Sequence, residues 1–182
     1  MIAIIGMLAA LITAAVQRVR GQATKAKART TIDVIGGGLE AYKSDYGIYP
    51  GFDAEPDEVN EETNQFPALY EALCGEKPPK GGGGRGAPYV PLTPEDICVE
   101  DPDDVEGGGY RKAERSELYD PDIEKFYRDP WSNPYIYREN ENKPDFEEYM
   151  LHRHGYDLYS MGPDETDQTM LGGEEDSDDI TN

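Results

Sequence analysis

Acidic side chains crowd the end of the chain, and their spacing could hold a metal ion. Residues 160–182 contain eight carboxylates and neither Lys nor Arg. A hard cation such as Ca²⁺ takes roughly six to eight oxygen ligands from carboxylates and main-chain carbonyls. An EF-hand is excluded, because Asp164 is not followed by the alternating acids and the glycine of that loop. Two interpretations stay open, a calcium-binding loop and a solvated or disordered acidic tail.

Two histidines and one tryptophan are the other candidates for ligand binding. His152 and His154 would point to the same side of a strand, where two imidazoles could bind a transition metal. No cysteine or third histidine lies near them in the sequence, so we expect surface histidines. Trp131, with a proline on either side of its turn, could stack on a ligand. A single Trp in a turn beside a strand more often fills a core, so we predict a structural role.

The chain lacks the motifs of the common enzyme classes. It contains no nucleophile elbow, Walker loop, zinc signature or dinucleotide fingerprint. Carboxylate pairs are expected by chance among 38 acids, so we predict that the chain is not an enzyme. A disulfide between Cys74 and Cys98 would close a loop of about 25 residues and contribute about 3 kcal/mol in an exported protein. The sequence leaves this pairing open.

Charge is distributed unevenly along the 182 residues, which allow one ordinary domain and an appendage. Residues 1–50 carry a net charge of +3, so residues 51–182 carry −24. A total of −21 repels polyphosphate backbones, and we therefore exclude nucleic acid as a partner. Only 37% of the residues are hydrophobic, which predicts a modest core and argues against a large buried active site.

A long N-terminal helix must position the rest of the chain. Residues 1–16 are uncharged and almost all apolar, slightly fewer than the roughly 18–20 that span a bilayer. Helix-forming residues follow, with no proline before Pro50. Apolar side chains then recur at intervals of three and four, on one face: Ile32, Ile35, Leu39, Tyr42 and Tyr46. We predict one helix that ends at Tyr46, before Gly47. Its glycines at 36–38 indicate close packing against another backbone or a local break.

The remainder predicts loops, one short helix and two strands. Gly, Pro and acidic residues fill the segment from Gly51 to about Tyr119, which predicts long surface loops. Within it, residues 66–74 predict a short helix that docks through apolar side chains at helical spacing, Leu69, Ala72 and Leu73. Residues 135–139 and 156–160 alternate and are aromatic, as strands do. An antiparallel pair with one face on the helix gives an α+β fold.

Four features in this order carry a family resemblance. They are the apolar helix that becomes amphipathic, Tyr-Lys-Ser-Asp-Tyr-Gly-Ile-Tyr-Pro at 42–50, Asp-Pro-Trp-Ser-Asn-Pro-Tyr at 129–135, and Tyr-Asp-Leu-Tyr-Ser-Met-Gly-Pro-Asp at 156–164. Together they resemble the major pseudopilins (protein G) of type II secretion systems, in the type IV pilin-like superfamily. The resemblance covers residues 1–50 and 129–180. It implies a pilin-like fold, a long N-terminal helix packed on a small antiparallel sheet with long loops.

The resemblance also implies a division of the chain and a set of calcium ligands. Residues 1–20 would be the transmembrane and filament-core segment, and residues 21–182 the head. Within the head, the amphipathic helix would run to about residue 46, variable acidic loops would occupy 51–128, and the sheet and acidic C-terminal loop 129–182. Family members bind Ca²⁺ in that loop, and the matching ligands here would be the Met161 carbonyl, Asp164, Asp176 and Asp178, with Glu175 and Asp179 as substitutes.

The function that the resemblance implies is structural. Such a subunit sits in the inner membrane by a single span, with its head in the periplasm. It polymerises through its N-terminal helix, works with other pseudopilins and the inner-membrane secretion platform, and helps to drive folded proteins across the outer membrane. The family begins with a basic leader and Phe-Thr-Leu-Ile-Glu, which have no counterpart here, so we expect the native reading frame to extend upstream.

Three alternatives remain at this point. Within the superfamily, the chain could be a type IV pilin or a minor pseudopilin. It could also be a membrane-tethered, calcium-dependent binding module that does not polymerise and uses residues 51–128 for recognition. The weakest alternative is a metal-dependent hydrolase that uses His152, His154 and the acids.

Overall fold

One long helix, one short helix and two small antiparallel sheets form the part of the chain that the computed structural model describes. The described residues are 2–51, 66–74, 88–90, 93–102, 109–120, 122–141, 151–152, 154–164 and 179–182. The helices are α1 (Ile2–Tyr46) and α2 (Phe66–Cys74). The strands are β1 (Ile97–Glu100), β2 (Tyr110–Lys112), β3 (Phe126–Tyr127), β4 (Ile136–Glu139), β5 (Tyr156–Ser160) and β6 (Ile180–Thr181). The fold is therefore α+β, as predicted.

The second half of α1 carries the buried face that the sequence predicts. Ala28, Ile32, Ile35 and Leu39 are all at most 2% exposed. Tyr42 packs against the same core, but Tyr46 is 43% exposed, so the predicted face stops one turn early. The Tyr46 ring lies on the Tyr42 ring instead, with 4.5 Å between centroids.

The helix ends where the sequence predicts. Gly47 adopts a φ of +82° and donates its N–H to the Lys43 carbonyl at 2.7 Å, which closes the last turn. Only glycine adopts this left-handed backbone without strain. A buried Tyr49 follows, and its hydroxyl donates to Glu40, which lies in α1 nearly two turns before the helix end, at 2.8 Å.

The three consecutive glycines leave α1 unbroken, and two of them face close neighbours. A Cβ on Gly38 would lie 2.4 Å from a Val90 methyl carbon, and one on Gly36 would lie 2.9 Å from the Tyr156 hydroxyl oxygen. No described atom lies within 4 Å of the corresponding point on Gly37. Close packing thus explains two of the three positions, but the neighbours are side chains and not another backbone.

Residues 16–23 of α1 are not covered by the described part of the head. Every side chain from Val16 to Ala23 is exposed. The exposed residues include large apolar ones at helical spacing, namely Ile12 at 63%, Val16 at 43% and Val19 at 64%. Positions 12, 16 and 19 are one and two turns apart, so they share one face of the helix.

Helix α2 docks as its spacing predicts. Leu69 and Leu73 are fully buried and Ala72 is 7% exposed. The helix packs against α1, β3 and β4, and the Leu73 carbonyl accepts the main-chain N–H of Tyr89 at 2.8 Å. This helix therefore joins the long helix to both sheets.

The first sheet lies in a region that the sequence predicted as loops. Its strand order is β2-β1-β3, and both pairings are antiparallel. The prediction was wrong for β1 and β2, because each has only three or four residues and neither alternates clearly between apolar and polar. Burial of Ile97, Cys98 and Val99 holds this sheet to the core.

The second sheet contains the predicted strand pair and one further strand. Its order is β4-β5-β6, and Tyr137 opposes Leu158 in the antiparallel register. Both side chains are fully buried. The sheet packs against α1 through β5 and β6, as predicted for one face on the helix. Strand β6 was not predicted.

Candidate functional site

A turn built around Asp129 supports the start of the predicted calcium loop. One carboxylate oxygen of Asp129 accepts the main-chain N–H groups of Trp131 at 2.9 Å and Asn133 at 2.8 Å. This is an Asx-type turn, in which a side chain replaces a main-chain acceptor. Ser132 takes a φ of 89°, an uncommon value for a residue other than glycine. The Asp129 carboxylate therefore holds the segment between β3 and β4 in one strained conformation.

The other oxygen of Asp129 ties this turn to the end of β5. It accepts the Ser160 hydroxyl at 2.7 Å, and the Ser160 oxygen in turn accepts the N–H of Gly162 at 3.2 Å. Asp129 is 3% exposed. Burial raises the pKa of its carboxyl above the ordinary value, while the hydrogen bonds from Ser160 and the main chain oppose that shift. A continuous polar connection thus fixes where the chain leaves β5.

The structure describes two of the four predicted calcium ligands. Met161 is half-buried directly after β5, and Asp164 is exposed at the end of a single 3₁₀ turn, Gly162–Asp164. Asp176 and Asp178 lie outside the described residues, as does Glu175. A main-chain carbonyl and an exposed carboxylate three residues later are oxygen donors of the kind that Ca²⁺ binds.

The acidic stretch is followed by residues that return to the sheet. Ile180 is 3% exposed and opposes Ser160, which places β6 beside the same end of β5 from which the stretch departs. Asn182 adds three hydrogen bonds: its main-chain N–H donates to Leu158, its side-chain oxygen accepts from Leu158, and its side-chain amide donates to Tyr156. The interpretation of a loose acidic tail therefore does not hold for residues 179–182.

Trp131 packs against the hydrophobic core, as the structural interpretation predicted. Both histidines are exposed, as predicted, but they precede β5 instead of lying within a strand. His152 places its ring nitrogen Nδ1 3.1 Å from the buried carboxylate of Asp157, which also accepts the main-chain N–H groups of Leu151 and His152. His154 is exposed. The pair on one strand face, which the transition-metal hypothesis required, is absent from the described residues.

The two cysteines are not joined by a disulfide. Both side chains are buried, Cys98 in β1 and Cys74 at the end of α2. Burial raises the pKa of the Cys98 thiol to about 12, so the thiol is protonated and uncharged at neutral pH.

Comparisons and searches add two findings. Neither a protein-family profile nor a curated protein matches this chain. Among the described residues, no three His, Cys, Asp or Glu side chains are grouped closely enough to hold a metal ion.

In the part of the chain that the structure describes, none of the helices has an apolar stretch long enough to cross a membrane.

Sequence reasoning missed the buried acids that organise this region. Asp129 and Asp157 are at most 3% exposed, although both belong to motifs that the sequence singles out. For Asp129 a signal exists, because Asp followed by Pro and small polar residues is typical of an Asx turn. For Asp157 the alternation of β5 would place it on the face opposite Leu158, and residues 151–152 return to hydrogen-bond it there.

Proposed function

We propose that this chain is a structural subunit of a type II secretion pseudopilus with a pilin-like fold. Its helix is anchored in the inner membrane, with the head in the periplasm. It then polymerises through α1 and, with other pseudopilins and the inner-membrane platform, helps to export folded proteins across the outer membrane. Ca²⁺ bound in the C-terminal loop stabilises the head.

The observation that carries this proposal is the contrast in exposure along α1. The helix buries its apolar face from Ala28 onward, yet exposes Ile12, Val16 and Val19 as one apolar stripe. Such a stripe is stabilised when it packs against apolar neighbours. Copies related by rotation and translation along one axis would bury it in an interface that does not close, which produces a filament.

The sequence before this stripe supports the proposal that subunits are held in the membrane before they assemble. Residues 1–16 carry no charge and are almost all apolar. Side chains of this kind can move from lipid to the core of a helical filament, because both surroundings are apolar. The motifs at 42–50, 129–135 and 156–164 favour the secretion pseudopilins over other families with an apolar N-terminal helix.

The two anchored ends of the acidic stretch support the calcium part of the proposal. Asp164 follows β5 and Asp179 precedes β6, and six further acids lie between them in the sequence. Mutual repulsion of these charges opposes the pairing of β6 with β5. Oxygen ligands from Met161, Asp164, Asp176 and Asp178 would bind the cation, whose charge offsets this repulsion.

Cysteine crosslinking tests polymerisation. Val16→Cys places a thiol on the exposed stripe, and Ser116→Cys places one on an exposed part of the head. We expect oxidation in cells to give dimers and a regular ladder from Val16→Cys and far less from Ser116→Cys. Equal products from both variants, or none from either in overproducing cells, would favour the non-polymerising binding module.

Thermal unfolding tests the calcium site. At a Ca²⁺ concentration 100 times the dissociation constant, binding contributes about 2.7 kcal/mol, which raises Tm by roughly 5–10 °C in a protein of this size. Asp164→Asn and Asp176→Asn should each reduce this shift, whereas Asp122→Asn, an exposed acid on the head, should leave it intact. A Tm that does not respond to Ca²⁺ contradicts the calcium part and leaves the filament part standing.

A further inference from the structure

A band of five cations encircles α1 just after the apolar segment. Its members are Arg18, Arg20, Lys25, Lys27 and Arg29, and the first 32 residues contain no acid. The remaining 177 residues carry a net charge of −26. All five side chains are exposed except Lys25, which is half-buried. None of them forms an ion pair within the described part of the chain. The band is therefore available to a negatively charged partner.

An anionic membrane surface matches only the first two of these cations. If residues 1–16 lie in hydrocarbon as proposed, the headgroup layer beyond them is roughly 5–8 Å thick. Lys25 lies nine residues past Val16, or about 14 Å along the helix, and Arg29 lies about 20 Å along it. Lys25, Lys27 and Arg29 thus extend past the headgroups, toward whatever surrounds the helix above the membrane.

Two exposed acids lie close together at one end of the first sheet. Glu100 opposes Tyr110, and the register of Cys98 with Phe126, extended by two residues, places Glu124, just before β3, across from Glu100 on the other side. Both acids are exposed and both raise the pKa of Tyr110, after the larger effect of burial. Neither forms an ion pair among the described residues. Two like charges close together repel each other, and a cation from another molecule would reduce this repulsion.

Lys25 and Arg29 are four residues apart and share one face of α1, whereas Lys27 lies on the opposite face. We propose that Lys25 and Arg29 bind the acidic pair Glu100 and Glu124 on the head of a second copy of this chain. This inference rests on the proposed function, since it places the two copies side by side along the filament. The contact is heterologous, with a helix of one copy against the head of the next, so it extends the assembly. It also sets the register between copies, because an apolar stripe alone permits sliding whereas paired charges do not.

Self-association of the full-length chain in detergent tests the proposal. Lys25→Glu/Arg29→Glu should weaken association measured by sedimentation about tenfold at 0.05 M salt, and the difference should shrink at 0.5 M salt because ions screen the contact. The substituted side chains lie on the helix surface, so helicity and Tm should match those of the wild type. As a matched control, Arg115→Glu changes the net charge as much as Arg29→Glu alone does; Arg29→Glu should weaken association and Arg115→Glu should leave it unchanged.

A charge swap identifies the acidic counterpart. Glu100→Lys/Glu124→Lys should weaken association alone and restore it when combined with the double reversal Lys25→Glu/Arg29→Glu. Equal association of this double reversal and the wild type overturns this inference only. A wild type that is monomeric and yields no Val16→Cys ladder overturns the proposed function itself. Loss of binding to phosphatidylglycerol vesicles on the double reversal, with association unaffected, overturns the inference in favour of a lipid surface.

Discussion

Helix α1 has two halves that differ in what surrounds them. From Ala28 onward the head covers one face, so that Ile35 and Leu39 are fully buried, whereas residues 16–23 are exposed throughout. The same helix therefore serves folding in one half and, in our proposal, association in the other. Substitutions should separate the two roles: the second half should control the free energy of unfolding, and the first half should control self-association.

The largest expected effect comes from truncating a buried side chain of the second half. Leu39→Ala leaves a cavity between α1 and the head and should lower the free energy of unfolding by about 2–5 kcal/mol. Val19→Ala removes an exposed side chain and should change it by less than about 0.5 kcal/mol. Urea unfolding followed by circular dichroism measures both. Similar losses from the two variants would mean that the halves are not distinct in stability.

Replacing glycines of α1 with alanine should change the free energy of unfolding by an intermediate amount, with opposite signs in the two halves of the helix. Gly38→Ala pushes a methyl group into Val90 and should destabilise by about 1–3 kcal/mol. Gly21→Ala meets no described atom within 4 Å and should stabilise by about 1 kcal/mol through helix propensity alone. Shifts of the urea midpoint report both signs. Stabilisation by Gly38→Ala would show that the α1 to Val90 contact is loose.

The smallest effect is a change in pH dependence at the turn that precedes β4. Because burial raises the pKa of Asp129 in the folded state, its carboxyl favours folding most when protonated, near and below the unfolded pKa of about 4. That contribution is lost as pH rises through the folded pKa. Asp129→Asn cannot titrate, so the stability of the wild type relative to this variant should fall as pH is raised from 4 to 7. A difference that rises over this range would mean that hydrogen bonds outweigh burial.

Local patterns predicted the elements with strong periodicity and missed those set by distant contacts. The face of Ile32, Ile35 and Leu39 follows from helical spacing, and the strand at 156–160 from alternation. Strand β6 has two residues at the end of an acidic stretch, and only its pairing with Ser160 makes it a strand. A strand of two residues is too short to show a hydropathy period in the sequence.

The candidate site likewise contains residues that the sequence indicated and contacts that it did not. Asp164 and Met161 were singled out by composition and resemblance, and the structure places them directly after β5. The connection from Asp129 to Ser160 joins residues 31 positions apart, and nothing in either motif alone indicates it. Buried acids are hard to foresee because their burial depends on partners that are distant in sequence.

The residues that cover the apolar face of α1 come late in the chain, so during synthesis they are made long after the helix itself. The Tyr135 hydroxyl donates to the carbonyl of Ala28, 107 residues earlier, and Ile180 joins the same core. A ribosome adding roughly 5–20 residues each second takes about 5–20 s to make that intervening stretch. Strands β5 and β6, which also pack on α1, are made later still, so the apolar face of the new helix stays partly uncovered until the end of synthesis.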